Sequence, residues 1–264
     1  VPMPQHAQGR VRLDLLRGGE RWQPVNIIGL NDFHGQLDPT STSMDGRNVS
    51  VGGAAYLATM FDQEAAQLPG DTLLLAAGDN VGASPANSGL LEDRPAIEVE
   101  NAWGLDATSF GNHEFDYGVE RLQQHIAAAD FPFLGANIVD EATGAYPDWV
   151  KPSAVFEVNG VTVGVIGIGL ETTPELVSAG ATEGLQFLPA VQSIQKESER
   201  LRQEGVRVQV VVIHEGATLG NNAVDGTEPT QWEGPIVDIV NGIQDTTVDL
   251  VIAGHTHRIA NTMV

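Results

Sequence analysis

Five of the seven histidines in this chain fall inside five short motifs whose residue types suit metal coordination. In chain order these are Asp32-Phe33-His34-Gly35, Gly78-Asp79-Asn80, Gly111-Asn112-His113-Glu114, His214-Glu215-Gly216 and Gly254-His255-Thr256-His257. Together they supply carboxylate, imidazole and amide oxygen, donors that suit Zn, Mn, Fe or Co better than Ca. With no cysteine in the chain, no thiolate competes. Two divalent cations about 3.5–4 Å apart can clamp the attacking and the leaving oxygen of an in-line phosphoryl displacement. Cations so close need a shared anion to offset their repulsion, and Asp79, a lone carboxylate between two ligand-bearing strands, fits that bridge. Asp32, His34, Asn112, His214, His255 and His257 are the candidate outer ligands.

Such chemistry requires the motifs to converge. Each follows a short apolar run of strand type (VNIIGL, TLLLAAG, DATSFG, VQVVVI and VDLVIAG), which delivers its donors to the carboxyl end of a strand. Helical patterns over 53–67, 95–103, 118–129, 190–204 and near 235–242 alternate with these runs, and the alternation predicts an α/β fold. Val158-Asn159-Gly160-Val161 predicts a tight hairpin within 156–168. An edge strand is expected over 11–16. The run GVIGIG at 164–169 superficially suggests a nucleotide-binding glycine loop. Its glycines alternate with β-branched residues inside a strand, so tight sheet packing is the expectation. No repeat or low-complexity linker divides the chain, and one domain over 1–264 is expected.

Taken singly, most of these motifs are weak. A Gly-Asp pair after a strand is ordinarily a turn, and one histidine at a strand end is ordinarily a satisfied packing residue. Two imidazoles at i and i+2 in Gly254-His255-Thr256-His257 rarely serve packing, and the motifs occur together and in order. His125, in a helical stretch, reads as a surface or packing residue, and His6 as incidental. Glu114 and Glu215 receive no direct role, that of supporting partners at most. Gly52-Gly53 reads equally as close backbone approach and as helix packing.

The order D-x-H, G-D, G-N-H-E, H-x-G, G-H-x-H resembles that of the calcineurin-like metallophosphoesterases. The longer strings Leu30-Asn31-Asp32-Phe33-His34-Gly35 and Gly111-Asn112-His113-Glu114-Phe115-Asp116 are similar to those of the secreted 5′-nucleotidase branch. The resemblance covers nearly the whole chain, from Val25 to His257. It implies a four-layer α/β/β/α sandwich with two divalent metals at one edge. One metal would be held by Asp32, His34, Asp79 and His257, and the second by Asp79, Asn112, His214 and His255. It also implies a catalytic pair, His113 and Asp116. Elementary chemistry supports that pair, because a histidine beside the metals but not bound to them can donate a proton to the phosphate or leaving oxygen. A carboxylate three residues on can hold its other ring nitrogen. The nucleophile would be a metal-bound water or hydroxide whose pKa the cations lower. The resemblance further implies additional strands and a C-terminal domain that stacks the base. The expectation is therefore a catalytic domain that stops before both, in a secreted, periplasmic or cell-surface protein.

Composition bounds the function classes. With 264 residues, 42% of them hydrophobic, the chain can bury one large core. No run approaches the roughly 18 apolar residues of a membrane helix, and no signal-peptide pattern is present. A net charge of −22 repels nucleic-acid backbones and argues against a DNA or RNA partner. It does not exclude a small phosphoester, since two divalent cations reverse the sign locally. The expected function is metal-dependent release of phosphate from nucleoside 5′-monophosphates. The alternatives on the same centre are a 2′,3′-cyclic phosphodiesterase, a nucleotide-sugar pyrophosphatase or a sulfur-ester hydrolase. A degenerate family member that binds without turnover is the rival of another class. The oligomeric state is not legible.

Overall fold

The structure is a computed structural model that describes residues 23–44, 46–219, 232–243, 246 and 248–258. The edge strand expected over 11–16, and His6, lie outside the described residues. In chain order, β1 (Asn26–Leu30) leads to a hairpin of β2 (Thr40–Met44) and β3 (Arg47–Val51), then helix α1 (Ala54–Ala66) and β4 (Thr72–Ala76). Helices α2 (Ala86–Gly89) and α3 (Arg94–Trp103) precede β5 (Ala107–Ser109), a 3-10 turn at His113–Phe115 and α4 (Gly118–Ala128). Next come β6 (Phe133–Leu134), β7 (Ile138–Asp140), the hairpin of β8 (Ser153–Val158) and β9 (Val161–Ile168), and α5 (Thr173–Leu176). Strand β10 (Leu185–Phe187), α6 (Ala190–Gln203), β11 (Val208–Ile213) and β12 (Thr218–Leu219) follow. Strand β13 (Trp232–Glu233), α7 (Pro235–Gly242) and β14 (Val248–Ala253) complete the described elements.

Two four-stranded sheets carry the architecture. The first, β1-β4-β5-β6, is parallel throughout. The second, β14-β11-β9-β8, is parallel except for β8. Because successive side chains on a strand face opposite sides, each strand feeds two apolar layers. Leu73 and Leu75 of β4 join Val163 and Val165 of β9 and Val210 and Val212 of β11 between the sheets. The alternate residues Leu74 and Ala76 meet Ile97 of α3 and Leu122 of α4. Beyond the second sheet, Ile166, Val211 and Ile213 pack on Ile194 and Leu201 of α6 and Ile236 and Ile239 of α7. The layers are helix, sheet, sheet and helix, the expected sandwich.

The hairpin forms where expected, with Val158 paired to Val161 and Asn159 and Gly160 at φ values of 52° and 81°. The GVIGIG glycines are packing positions. At Gly167 a Cβ would overlap Leu134 of β6, so only glycine lets the sheets approach there. The β2–β3 hairpin is an addition to the expected elements, because its described side chains are largely exposed and offer no apolar face to read. The dipeptide Asp45-Gly46 was the available signal. Helix α2, four residues inside a Gly-, Ser- and Asn-rich loop, carries no periodicity. Among the described residues no helix is long and apolar enough to cross a membrane.

Candidate metal centre

The loops that follow β1, β4, β5, β11 and β14 meet at one edge of the sandwich and hold one another through their backbones. Asp32 N donates to Gly78 O at 3.1 Å and His34 N to Asp79 O at 2.9 Å, laying the β1 loop along the β4 loop. The His255 amide donates to both carboxylate oxygens of Asp32 at 3.0 Å, closing the ring of loops across the two sheets. Glycine at 254 permits this: a Cβ there would stand 2.9 Å from Ala77 O and 3.2 Å from Asp32 Oδ2 and His214 Nδ1.

Five of the candidate ligands, Asp32, His34, Asp79, His255 and His257, have left-handed backbone, with φ between 49° and 73°. Only Ala83, Glu92, Asp93 and Asn159 share that property among the other described non-glycine residues. Each such residue costs about 1–2 kcal/mol, and conformations of this kind persist where the surroundings over-determine them, typically at functional sites. The strain is concentrated on the candidate ligands.

Asp32, His34 and His257 offer ligand atoms within 4.8 Å of one another, and Asp79, His214 and His255 form a second such trio. Asp79 Oδ2 links the second trio to the first, 2.9 Å from His214 Nε2 and 3.8 Å from His34 Nε2. His257 Nε2 is 3.2 Å from Asp32 Oδ1 and 3.3 Å from His34 Nε2. Nitrogen and oxygen atoms about 2.1 Å from a common cation stand about 3.0–3.4 Å apart along a coordination edge, so the spacing suits metal.

The imidazole tautomers agree. His34 Nδ1 donates to Gly82 O at 2.9 Å and His214 Nδ1 donates to Ala77 O at 2.7 Å. A hydrogen held at Nδ1 leaves Nε2 as the coordinating atom, the arrangement found in metal-bound histidines. Burial alone would keep His214 neutral, but the Asp79 carboxylate 2.9 Å from its Nε2 outweighs it and raises its pKa to about 9. For Asp79, burial pushes the pKa up, while the His214 contact and the amide and charge of His113 bring it net below the usual carboxylate value. A divalent cation competes with a proton for this pair of donors. Asn112, on the turn after β5, has a buried amide oxygen with no hydrogen-bond partner. An unsatisfied buried acceptor costs about 1–3 kcal/mol, and a cation would satisfy it. The residues present fit divalent metal.

His113 stands beside the trios, its ring 5.1 Å from that of His34. Its amide donates to Asp79 Oδ1 at 2.9 Å and its Nδ1 to Asp116 Oδ2 at 2.8 Å. The Asp116 hydrogen bond raises the His113 pKa above the ordinary histidine value, against the opposing effect of burial. A ring nitrogen of His113 also lies within 4.8 Å of donors on His34 and Asp79, so distance alone does not separate it from the ligands.

Several supporting groups had no readable signal in the sequence. The carbonyls of Ala77 and Gly82 fix imidazole orientation, and backbone groups are alike at every residue. Asp93, fully buried, accepts from Gly82 N at 3.0 Å and from Ser88 Oγ at 2.8 Å, steadying the residue whose carbonyl holds His34. His125 is a packing residue, buried, with Nε2 donating to Glu92 O at 2.7 Å. Gly53 serves close backbone approach, since a Cβ there would meet Pro39 N at 2.8 Å.

A four-layer sandwich with this donor edge defines a class of protein. The chain matches the calcineurin-like phosphoesterase family over residues 25–258, and it belongs to that family. It is 34% identical to the cell wall protein Lmo0130 of Listeria monocytogenes, covering 91% of this chain and 34% of that protein. It is 30% identical to a probable 5′-nucleotidase of Treponema pallidum, covering 73% of this chain and 32% of that protein. Among solved structures, a 5′-nucleotidase precursor from Thermus thermophilus superposes with a TM-score of 0.70 at 25% identity, covering 89% of this chain and 42% of the other. The chain spans about a third of the length of these curated relatives.

Proposed function

We propose that the chain hydrolyses phosphoesters at a centre of two divalent cations (Zn, Mn, Fe or Co), with nucleoside 5′-monophosphates as substrates. The observation that carries this is Asp79, which belongs to one donor trio and faces His34 of the other, with the His113–Asp116 pair alongside. Asp32, His34, Asp79 and His257 would hold one cation, and Asp79, Asn112, His214 and His255 the other. When bound, two such cations neutralise phosphoryl charge and acidify the attacking water. The protein's own groups do the rest. Asp116 accepts from His113 Nδ1 and keeps Nε2 available to the substrate. Protonated His113 donates its Nε2 proton to the leaving oxygen, so the bond from phosphorus to the alcohol breaks as the alcohol gains that proton and the attacking water's oxygen bonds to phosphorus. The left-handed ligand backbones hold the donors in place before substrate arrives, which avoids reorganisation during the reaction.

The relatives named as 5′-nucleotidases support the substrate class, and the Listeria relative, named a cell wall protein, supports a secreted or cell-surface location. The family match supports reading 25–258 as the catalytic domain. Metal-stripped protein restored with Mn²⁺ should release phosphate from both 5′-AMP and 4-nitrophenyl phosphate, with a preference for AMP. Release from the aryl ester alone keeps the hydrolase and removes the nucleotide assignment. Release from neither, with metal bound, favours a member of the family that binds without turnover.

A further inference from the structure

Glu114 is 2% exposed and its carboxylate gathers three backbone amides. Oε2 accepts from Asp79 N at 3.0 Å and Gly111 N at 2.5 Å, and Oε1 accepts from Asn80 N at 2.8 Å. Two of these amides belong to the loop after β4 and one to the loop after β5, so a single side chain ties together the segments that carry Asp79 and Asn112. The β4 loop is left-handed where it is held, with φ of 80° at Gly78 and 53° at Asp79. Successive amides of such a turn converge into a concavity suited to an anion. Here Glu114 fills that concavity from within the protein, which leaves it closed to a substrate phosphate.

We infer that Glu114 is the positioning residue of the dinuclear centre: it holds Asp79 in the left-handed conformation that aims its carboxylate at both donor trios. The inference rests on the two-cation reading of the site. The physical reason is specific to a carboxylate. All three partners are donors, and only a group with acceptors on both oxygens satisfies them together. Glutamine of the same shape turns an amide N–H towards at least one backbone N–H. The better rotamer keeps its carbonyl on Asp79 N and Gly111 N, so Asn80 N faces the amide N–H and the left-handed turn that carries Asp79 loses one of its two anchors. Because the two segments tied by Glu114 carry Asp79 and Asn112, both of which would serve the second cation, that cation should be lost before the first.

The test is Mn²⁺ titration of metal-stripped wild type and Glu114→Gln by calorimetry, with electron paramagnetic resonance to read coupling between two Mn²⁺ ions. Loss of a group that orients metal ligands typically weakens affinity about 10–100-fold. Glu114→Gln is expected to weaken the second Mn²⁺ site by that factor and to lose the coupled signal while keeping its circular dichroism. Glu100→Gln is the control, because Glu100 is equally buried on α3 but its oxygens contact no hydrogen-bond partner. It should bind two Mn²⁺ as wild type does. If Glu114→Gln fails to fold, Glu114→Asp carries the test, since it keeps the charge but withdraws it from one of the two loops. Two tight, coupled Mn²⁺ ions in the Glu114 variant overturn the assignment of Glu114 alone. Equal loss in the Glu100 control also overturns it, by reducing the effect to general core damage. A wild-type protein that takes up fewer than two Mn²⁺ ions overturns the dinuclear reading itself.

Discussion

Asp116→Asn keeps the size of the side chain and removes the charge that holds His113. The two side chains are 28% and 31% exposed and their hydrogen bond is 2.8 Å long. A hydrogen bond to a charged group contributes about 1.5–3 kcal/mol, and each 1.36 kcal/mol is tenfold in rate, so its full loss in the transition state costs about 10- to 150-fold in kcat. Exposure close to a third screens the pair, which puts the expectation at the lower end, about 10- to 30-fold. His113→Ala removes the donor itself and should cost on the order of 10²–10⁴-fold while sparing metal content. The assay is kcat on 5′-AMP and on 4-nitrophenyl phosphate with Mn²⁺ present. Nitrophenolate leaves without needing a proton, so the loss in both variants should be smaller on the aryl ester than on AMP. Equal losses on the two substrates would refute proton donation to the leaving group. Loss of metal from His113→Ala would make His113 a ligand, an outcome its distance from His34 and Asp79 permits.

Three further outcomes are expected. Asp79→Ala should abolish phosphate release and lower metal content, measured by atomic absorption; full activity in that variant would end the bridging role. Glu100, buried without partners, has its carboxyl pKa raised well above the ordinary 4.5, first by burial and then by the charge of Glu114. Below about pH 4.5 both folded and unfolded states hold the proton; above it the unfolded state loses the proton first, so stability falls as pH rises towards the folded pKa. Glu100→Met removes that slope and the unsatisfied oxygens and should stabilise by about 1–3 kcal/mol at neutral pH. Thermal melts should show a larger gain at pH 7 than at pH 4, and an equal gain at both would contradict the raised pKa. Gly167→Ala forces a methyl into Leu134 between the sheets and should destabilise by about 1–3 kcal/mol. An unchanged urea midpoint would show that the sheets separate more easily than their packing implies.

The class of fold and a set of candidate donors were legible from residue types and spacing. Few side chains can bind a divalent cation, and a strand with a motif at its carboxyl end states both the donor and its position. The Asn159-Gly160 turn and the apolar run of β4 are local in the same sense: their consequences lie within a few residues of their cause. The β2–β3 hairpin escaped because exposed strands leave no apolar face.

The arrangement of the site was a tertiary matter. His34 and His214 could each present either ring nitrogen, and the carbonyls of Gly82 and Ala77 decide in favour of Nε2. Asp32 is held by an amide 223 residues away, and Glu114 by amides of a loop 34 and 35 residues before it. Sequence alone determined which side chains could bind metal and in what order they follow. Which nitrogen of each imidazole faces Asp79, and what holds Asp79 in its strained conformation, depended on backbone groups that carry no sequence signature. Only folding brings those groups together.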